Sequence, residues 1–233
     1  MIEGLKEIEL AIRAGYRIEY FVRCPDIRHS DQLARNLNVP EWQVSPTVFS
    51  KLAMRENSGG LLAVAGMKSH NPENLKVDDK SLFIVLEAVE KPGNLGAVLR
   101  TADAAGVSGV IVCDNRTDLY NPNVVRSSLG TLFTVPVAVT DSLTAIRFLQ
   151  QNNTQIYCTY LGASVPYDTV DYCKASAIVM GTEATGLSDV WVQAASRNII
   201  IPMSGQIDSM NVSVSAAIVT FEAIRQRRNS GNL

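Results

Sequence analysis

Cysteine and histidine are scarce in this chain of 233 residues, with four of the first and two of the second. Cys24, Cys113, Cys158 and Cys173 are scattered without CxxC spacing, and neither His29 nor His70 has a second ligand type beside it in sequence. Neither a zinc site nor a disulfide framework is therefore expected, and no metal is assigned. Long apolar runs are missing too. None approaches the roughly 20 residues needed to span a bilayer, and Met1 to Leu10 lacks a basic stretch followed by an apolar one. The expectation is a soluble, cytoplasmic protein without a membrane segment. Nor is there an excess of positive charge: 21 Lys and Arg against 23 Asp and Glu leave a formal charge of −2. That balance argues against coating nucleic acid by bulk electrostatics, so an RNA partner would have to be met by local basic patches. Internal repeats and low-complexity tracts are also lacking.

What is present is a chain 46% hydrophobic, long enough for a small domain followed by a medium one. LKEIELAIRAGY reads as an amphipathic helix closed by Gly15, and IEYFV as a strand. SDQLARNLNVP reads as a capped helix, WQVS as a short strand, SPTVFSKLAMRENSG as a helix from Pro46 to Gly59, and LLAVAGM as a buried strand. The polar stretch from residue 68 to 80 contains Asn71-Pro72 and has no apolar period, so it reads as a linker. Domains are expected at 1–78 and 79–233, neither strongly basic. From Ser81 onward strands alternate with helices: LFIVLEAV, NLGAVLRTADAAG, GVIVC, NPNVVRSSLGT, FTVPVAV, SLTAIRFLQQN, QIYCTYL, AIVMG, LSDVWVQAA, NIIIPM and the terminal SMNVSVSAAIVTFEAIRQRR. The fold class that follows is α/β, with a mainly parallel sheet covered on both faces.

Three polar turns follow apolar runs, where ligand sites collect in such sheets. In PGNLGAVLR, Asn94 sits where a helix N-cap belongs, and Gly96 keeps the first turn thin. Arg100 lies mid-helix among apolar residues and needs solvent or an anionic partner, either a ligand or Asp103 three residues on. The turn Gly181-Thr182-Glu183-Ala184-Thr185-Gly186 lacks both the Lys-Ser/Thr ending of a phosphate loop and the GxGxxG spacing of a dinucleotide site. A carboxylate there suits a neutral or cationic ligand, although Glu183 could equally cap a helix. Ser209, Asn211, Ser213 and Ser215 crowd the mouth of the last helix. Capping explains one of them, and the rest point to a helix start buried beside a polar site.

Together these segments resemble the three motifs of the SpoU, or TrmH, family of RNA ribose 2'-O-methyltransferases in the SPOUT class. The first motif corresponds to Asn94, Gly96 and Arg100, and the second to Gly181, Glu183 and Gly186. The third corresponds to Ile201, Pro202 and Met203, followed by Ser209, Met210, Asn211, Val212 and Ser213. Met210 replaces the usual leucine, a mild departure. The resemblance spans residues 81–228. It implies a C-terminal trefoil knot, a rare exception to chain topology, and bound S-adenosylmethionine contacted by Thr159, Leu161, Gly181, Ile201 and Met210. Asn94, Arg100, Glu183, Ser209 and Asn211 fall on the catalytic, substrate-facing side, and the family implies a homodimer through the knotted region. Residues 1–78 resemble the small α/β L30e-like RNA-binding domain that many family members carry, most closely in VSPTVFSKLAMRENSGGLLAVA. That unit reads as N-terminally shortened. Such a domain favours ribosomal RNA of the 23S type as substrate. A tRNA ribose methyltransferase and a catalytically silent RNA-binding protein of the same fold are the alternatives, and a nucleotide-dependent oxidoreductase is disfavoured by the missing phosphate loop.

Overall fold

The computed structural model describes every residue except 30–31, 56–58, 163, 183–184, 208 and 232–233. Its N-terminal unit runs β1 (Ile2–Glu3), α1 (Leu5–Arg13), β2 (Ile18–Arg23), α2 (Leu33–Leu37), β3 (Glu41–Gln43), α3 (Pro46–Leu52) and β4 (Leu61–Ala65). These strands form a mixed sheet in the order β1-β4-β2-β3, in which only β2 and β3 are parallel. The two-residue β1 carries too little pattern to be legible in sequence. α3 begins at Pro46 behind the Ser45 cap, but stops at Leu52, short of the expected Gly59. The reason is tertiary: the buried Glu3 carboxylate accepts the N–H groups of Met54 and Arg55, both at 3.0 Å, and draws the chain out of the helix.

The second unit contains β5 (Leu82–Glu87), α4 (Pro92–Ala105), β6 (Gly109–Cys113), α5 (Pro122–Ser127), α6 (Thr131–Thr134), β7 (Val137–Thr140) and α7 (Ser142–Gln151). It continues through β8 (Gln155–Thr159), β9 (Val165–Pro166), β10 (Ser176–Met180), α8 (Asp189–Ala194), β11 (Arg197–Ile200) and α9 (Val212–Asn229). The strands make one wholly parallel sheet in the order β7-β6-β5-β10-β8-β11-β9. Strands β5, β6 and β10 are buried along their whole length, as expected for strands covered on both faces. One core holds α4, α5 and α9 on one face. The other lies under α7 and α8 around the fully buried Trp191.

Two readings need correction. The expected helix over NPNVVRSSLGT ends at Ser127, because Leu129 and Gly130 both take positive φ, and a separate helix, α6, begins at Thr131. The expected strand FTVPVAV begins only at Val137, since Phe133 belongs to α6 and packs edge-on against Tyr16, ring centroids 5.1 Å apart.

That contact belongs to a larger junction, for a single hydrophobic cluster runs from Ile2, Ile8 and Phe21 to Leu132 and Phe133. The stretch between the units lies against β7. His70 bonds the Val137 carbonyl through Nδ1 at 2.9 Å and the Tyr120 hydroxyl through Nε2 at 2.7 Å, and its own carbonyl accepts from Val139 N–H at 2.7 Å. Leu75 of the same stretch is buried. At the other end of the sheet, the buried guanidinium of Arg227 donates to the carbonyls of Tyr172 and Lys174, both at 2.9 Å, and of Lys80 and Ser81. This ties the last helix to the segments entering β5 and β10. No helix among the described residues is long and apolar enough to cross a membrane.

All four cysteines are free thiols, and Cys24, Cys113 and Cys158 are buried. Burial pushes the Cys158 thiol up to about 12 and raises Cys113 further, so neither forms thiolate near neutrality. Titration of the native protein with a thiol reagent at pH 8 should modify Cys173 alone, with all four reacting after denaturation. Rapid modification of a second native thiol would contradict this packing.

Candidate active site

The carboxyl ends of β10, β8 and β11 lie side by side, and the loops leaving them enclose a cavity of about 360 Å³ with the start of α9. Thr159 and Leu161 come from the end of β8 and its loop. Gly181, Thr182 and Gly186 come from the turn after β10, Ile201 and Met203 from the chain after β11, and Ser209, Met210 and Ser215 from the approach to α9 and its first turn. All five residues expected to contact a cofactor thus share one cavity. Apolar side chains and backbone dominate its wall, and no Lys or Arg lines it among the described residues.

Backbone proximity shapes this wall. A Cβ at Gly181 would stand 2.3 Å from the Gly186 carbonyl carbon and 2.5 Å from the Leu187 nitrogen, atoms that cannot swing aside. Two bonds hold the turn closed: Thr182 N–H to the Gly186 carbonyl at 3.1 Å, and Gly186 N–H to the Thr182 carbonyl at 3.0 Å. Glu183 lies outside the described residues.

A smaller cavity of about 290 Å³ shares Gly181, Thr182 and Val212 with the first and adds Val89 to Lys91 and Asn94. Here the first and third polar turns meet, as Asn211 Nδ2 donates to Asn94 Oδ1 at 3.1 Å. Asn211 is the N-cap of α9, and its Oδ1 accepts from Ser213 N–H at 3.0 Å and Ser213 Oγ at 2.6 Å. Asn94 is not an N-cap. Its helix begins at Pro92, a residue suited to the first turn, so Asn94 stands inside that turn facing Asn211. Gly96 accommodates α5, because a Cβ there would meet Ser127 Cβ and Ser128 N at 2.8 Å.

Arg100 is exposed and opens on neither cavity within the subunit. It lines a separate cleft with Arg126, and among the described residues its guanidinium has no ion-pair or hydrogen-bond partner. Asp103, the local alternative, instead accepts a long bond from Thr134 Oγ1 at 3.4 Å. No group of three or more potential metal ligands occurs among the described residues.

One positioning residue escaped the sequence reading. Glu87 ends β5 with its carboxylate buried, accepting Ser188 N–H at 2.9 Å and Ser188 Oγ at 2.5 Å. Ser142 Oγ joins it at 3.4 Å, bonds Asp114 at 2.5 Å and accepts from Trp191 Nε1 at 2.8 Å. The end of the turn after β10 is therefore fixed to the end of β5. A carboxylate closing the apolar run LFIVLEAV was the available signal, since such a group is buried only when paired.

The SpoU rRNA Methylase family model matches residues 81–221, and the MRM3-like substrate binding domain model matches residues 1–63. This chain is a member of the SpoU rRNA methylase family. Among relatives of this SpoU protein, the 23S rRNA (guanosine-2'-O-)-methyltransferase RlmB of Bordetella pertussis is 36% identical, covering 97% of this chain and 91% of that protein. The 23S rRNA (guanosine(2553)-2'-O)-methyltransferase RlmP of Bacillus subtilis is 28% identical, over 95% and 86%. Among solved structures, an AdoMet-bound rRNA methyltransferase from Sinorhizobium meliloti superimposes with a TM-score of 0.88 at 30% identity, covering 97% of this chain and 86% of that one. The fold is thus the SPOUT one expected, with a smaller α/β unit in front.

In Glu87→Gln the amide nitrogen or oxygen must face two donors at Ser188, leaving a buried polar group mispaired at a cost of about 1–3 kcal/mol. The thermal midpoint should fall by roughly 2–12 °C. An unchanged midpoint in a calorimetric scan would remove Glu87 from this role.

Proposed function

We propose that this SpoU-family chain transfers a methyl group from S-adenosylmethionine to a ribose 2'-hydroxyl of ribosomal RNA. The observation that carries the reading is the Asn211–Asn94 bond beside the wall formed by Gly181, Ile201 and Met210. It joins motifs 117 residues apart at the mouth of the cavity expected to hold the methyl donor. The cavity suits that donor: apolar walls and backbone groups take an adenosine, and the lack of lysine and arginine fits a ligand that is cationic at sulfur and has no phosphate. When bound, S-adenosylmethionine supplies an electrophilic methyl group. Thr159, Leu161, Gly181, Ile201 and Met210 are the residues we assign to holding it.

The chain's own task is to bring a weak nucleophile into line, which makes positioning the larger part of catalysis. Asn94 and Asn211, already bonded to each other, orient the ribose from the smaller cavity, and Ser209, which lines the neighbouring cofactor cavity, and Glu183 are assigned to the substrate side with them. We assign Arg100 to a phosphate beside the target ribose. A guanidinium is too weak a base to take the hydroxyl proton, and its planar fork matches a phosphate bidentately. The relatives' names, which specify 23S rRNA, and the match of residues 1–63 to a substrate binding domain support ribosomal RNA as the substrate.

Two copies are proposed to pair along α9. Val214, Ile218 and Phe221 recur at i, i+4 and i+7, and Val214 and Phe221 are exposed on a helix whose Ser215 lines the cofactor cavity. An apolar row in that position is suited to a second copy. Phe221→Glu should convert a species of twice the chain mass into one of the chain mass by light scattering. A wild-type monomer at micromolar concentration would end the dimer assignment.

Calorimetry with S-adenosylmethionine and transfer of labelled methyl to protein-free ribosomal RNA, followed by mapping of methylated riboses, test the whole reading. Gly181→Ala should weaken cofactor binding more than about tenfold, because overpacking against backbone costs typically 1–3 kcal/mol and displaces the wall itself. Absence of cofactor binding by the wild type would refute the enzyme, and a mark confined to tRNA would refute the substrate.

A further inference from the structure

We infer that the cleft between the two units is the track for the RNA strand flanking the methylated nucleotide, and that Arg126 is a substrate-positioning residue within it. This rests on the reading of the chain as an RNA methyltransferase and extends it to a surface that none of the three motifs defines. The cleft is open and about 980 Å³ in volume. Pro92, Gly93, Arg100, Asn123 and Arg126 line it from the catalytic unit, and Met54 and Arg55 from the N-terminal unit. Three arginines face it and, among the described residues, no carboxylate lines it, in a chain whose net charge is −2. A local concentration of guanidinium groups, two of them without an ion-pair partner among the described residues, is the signature of a polyanion track.

The arginines differ in what they are already doing. Arg55 donates to the buried carboxylate of Glu7 at 2.7 Å, while Glu3 holds the backbone of Met54 and Arg55. That wall is rigid, and its positive charge is partly spent within the protein. Arg126 and Arg100 are exposed, and among the described residues neither has a hydrogen-bond or ion-pair partner. They project from α5 and α4, helices locked together where Gly96 admits Ser127. The packing of α4 on α5 therefore fixes where the two side chains leave the backbone before any ligand arrives.

Connection to the reaction follows from shared walls. Pro92 and Gly93 border the cleft, whereas Lys91 and Asn94 of the same turn border the small cavity next to the cofactor cavity. A strand lying in the cleft passes this turn with one nucleotide beside Asn94 and its neighbour's phosphate near the arginines. Single-stranded RNA is the occupant that fits. Its phosphates match the guanidinium groups, and Asn123 can meet a sugar hydroxyl or base edge.

The test compares the wild type, Arg126→Ala, Arg126→Glu and the control Arg147→Ala. Arg147 lies on α7, on the opposite face of the sheet. Fluorescence anisotropy with a labelled single-stranded oligouridine would be read across a salt series, beside methyl transfer to protein-free ribosomal RNA. Arg126→Ala should weaken RNA binding several-fold and reduce the slope of log affinity against log salt by about 0.7, the value for one phosphate contact on a single strand. Arg126→Glu should weaken it further. The KM for RNA should rise in parallel, with kcat at saturating RNA and the affinity for S-adenosylmethionine unchanged. If Arg126→Ala matches Arg147→Ala in affinity and salt slope while the wild type methylates RNA, the cleft assignment falls and the enzymatic reading stands. Loss of cofactor affinity in the Arg126 variants would also overturn it, by placing their effect in the wrong cavity. A wild type that neither binds nor methylates RNA would bring down both.

Discussion

The insertion of β10 between β5 and β8 is the constraint on which the rest depends. Its five residues pair in register with β5 on one side, and four of them pair with β8 on the other. The strand is paired on both sides along all but its last residue, and all five of its side chains are buried. Its position makes the turn at Gly181 a neighbour of both the first motif, which follows β5, and the loop that follows β8. Strands consecutive in the chain could not do this. β6 and β7 lie on the far side of β5, and the chain must return across the sheet before the second motif can be placed. The cavity is a product of strand order first and of side chains second.

Given that order, three kinds of contact make the loops rigid. Gly181 lies flush against the Gly186 backbone, Glu87 fixes Ser188 at the far end of the same turn, and Asn211 joins the start of α9 to the start of α4. Arg227 completes the arrangement at the opposite end of α9, where a buried cation satisfied by backbone carbonyls is costly to disturb. The helix that carries the third motif is thus tied at both ends. Its cavity-facing residues inherit a fixed position rather than acquiring one on binding.

Much of this was legible before any coordinates, and for an identifiable reason. The second unit's strands are short apolar runs bounded by breakers, and its three polar turns interrupt those runs where ligand sites collect. What could not be read depends on contacts between distant segments. The early end of α3 is dictated by Glu3, roughly fifty residues away, and Phe133 lies in a helix packed on Tyr16 of the other unit. Asn94 is a subtler case: Ser, Asn and Asp favour the cap position, and only Pro92 indicates that the helix begins earlier. Arg100 was singled out for its chemistry. Its surroundings, a cleft beside another arginine and not the cofactor cavity, required the fold of α4 against α5.

The distribution of arginine separates two chemical environments on either side of one helical turn. Arg23 is spent on Glu41 and on the carbonyls of Arg28 and His29, Arg55 on Glu7, and Arg227 on the chain's own backbone. Arg100 and Arg126 have no such partner among the described residues and both face the cleft, while the cofactor cavity contains no basic residue among those described. The segregation has a physical logic. A guanidinium beside the apolar cavity would repel a cationic methyl donor where screening is weak, at a Coulomb cost of about 4 kcal/mol for unit charges 4 Å apart near a protein surface. Placed past the first turn of α4, the same charge attracts an RNA backbone without opposing the donor. In the proposed assignment the thin turn at Pro92 to Asn94 is the partition, with the ribose on one side of it and the phosphates that align it on the other.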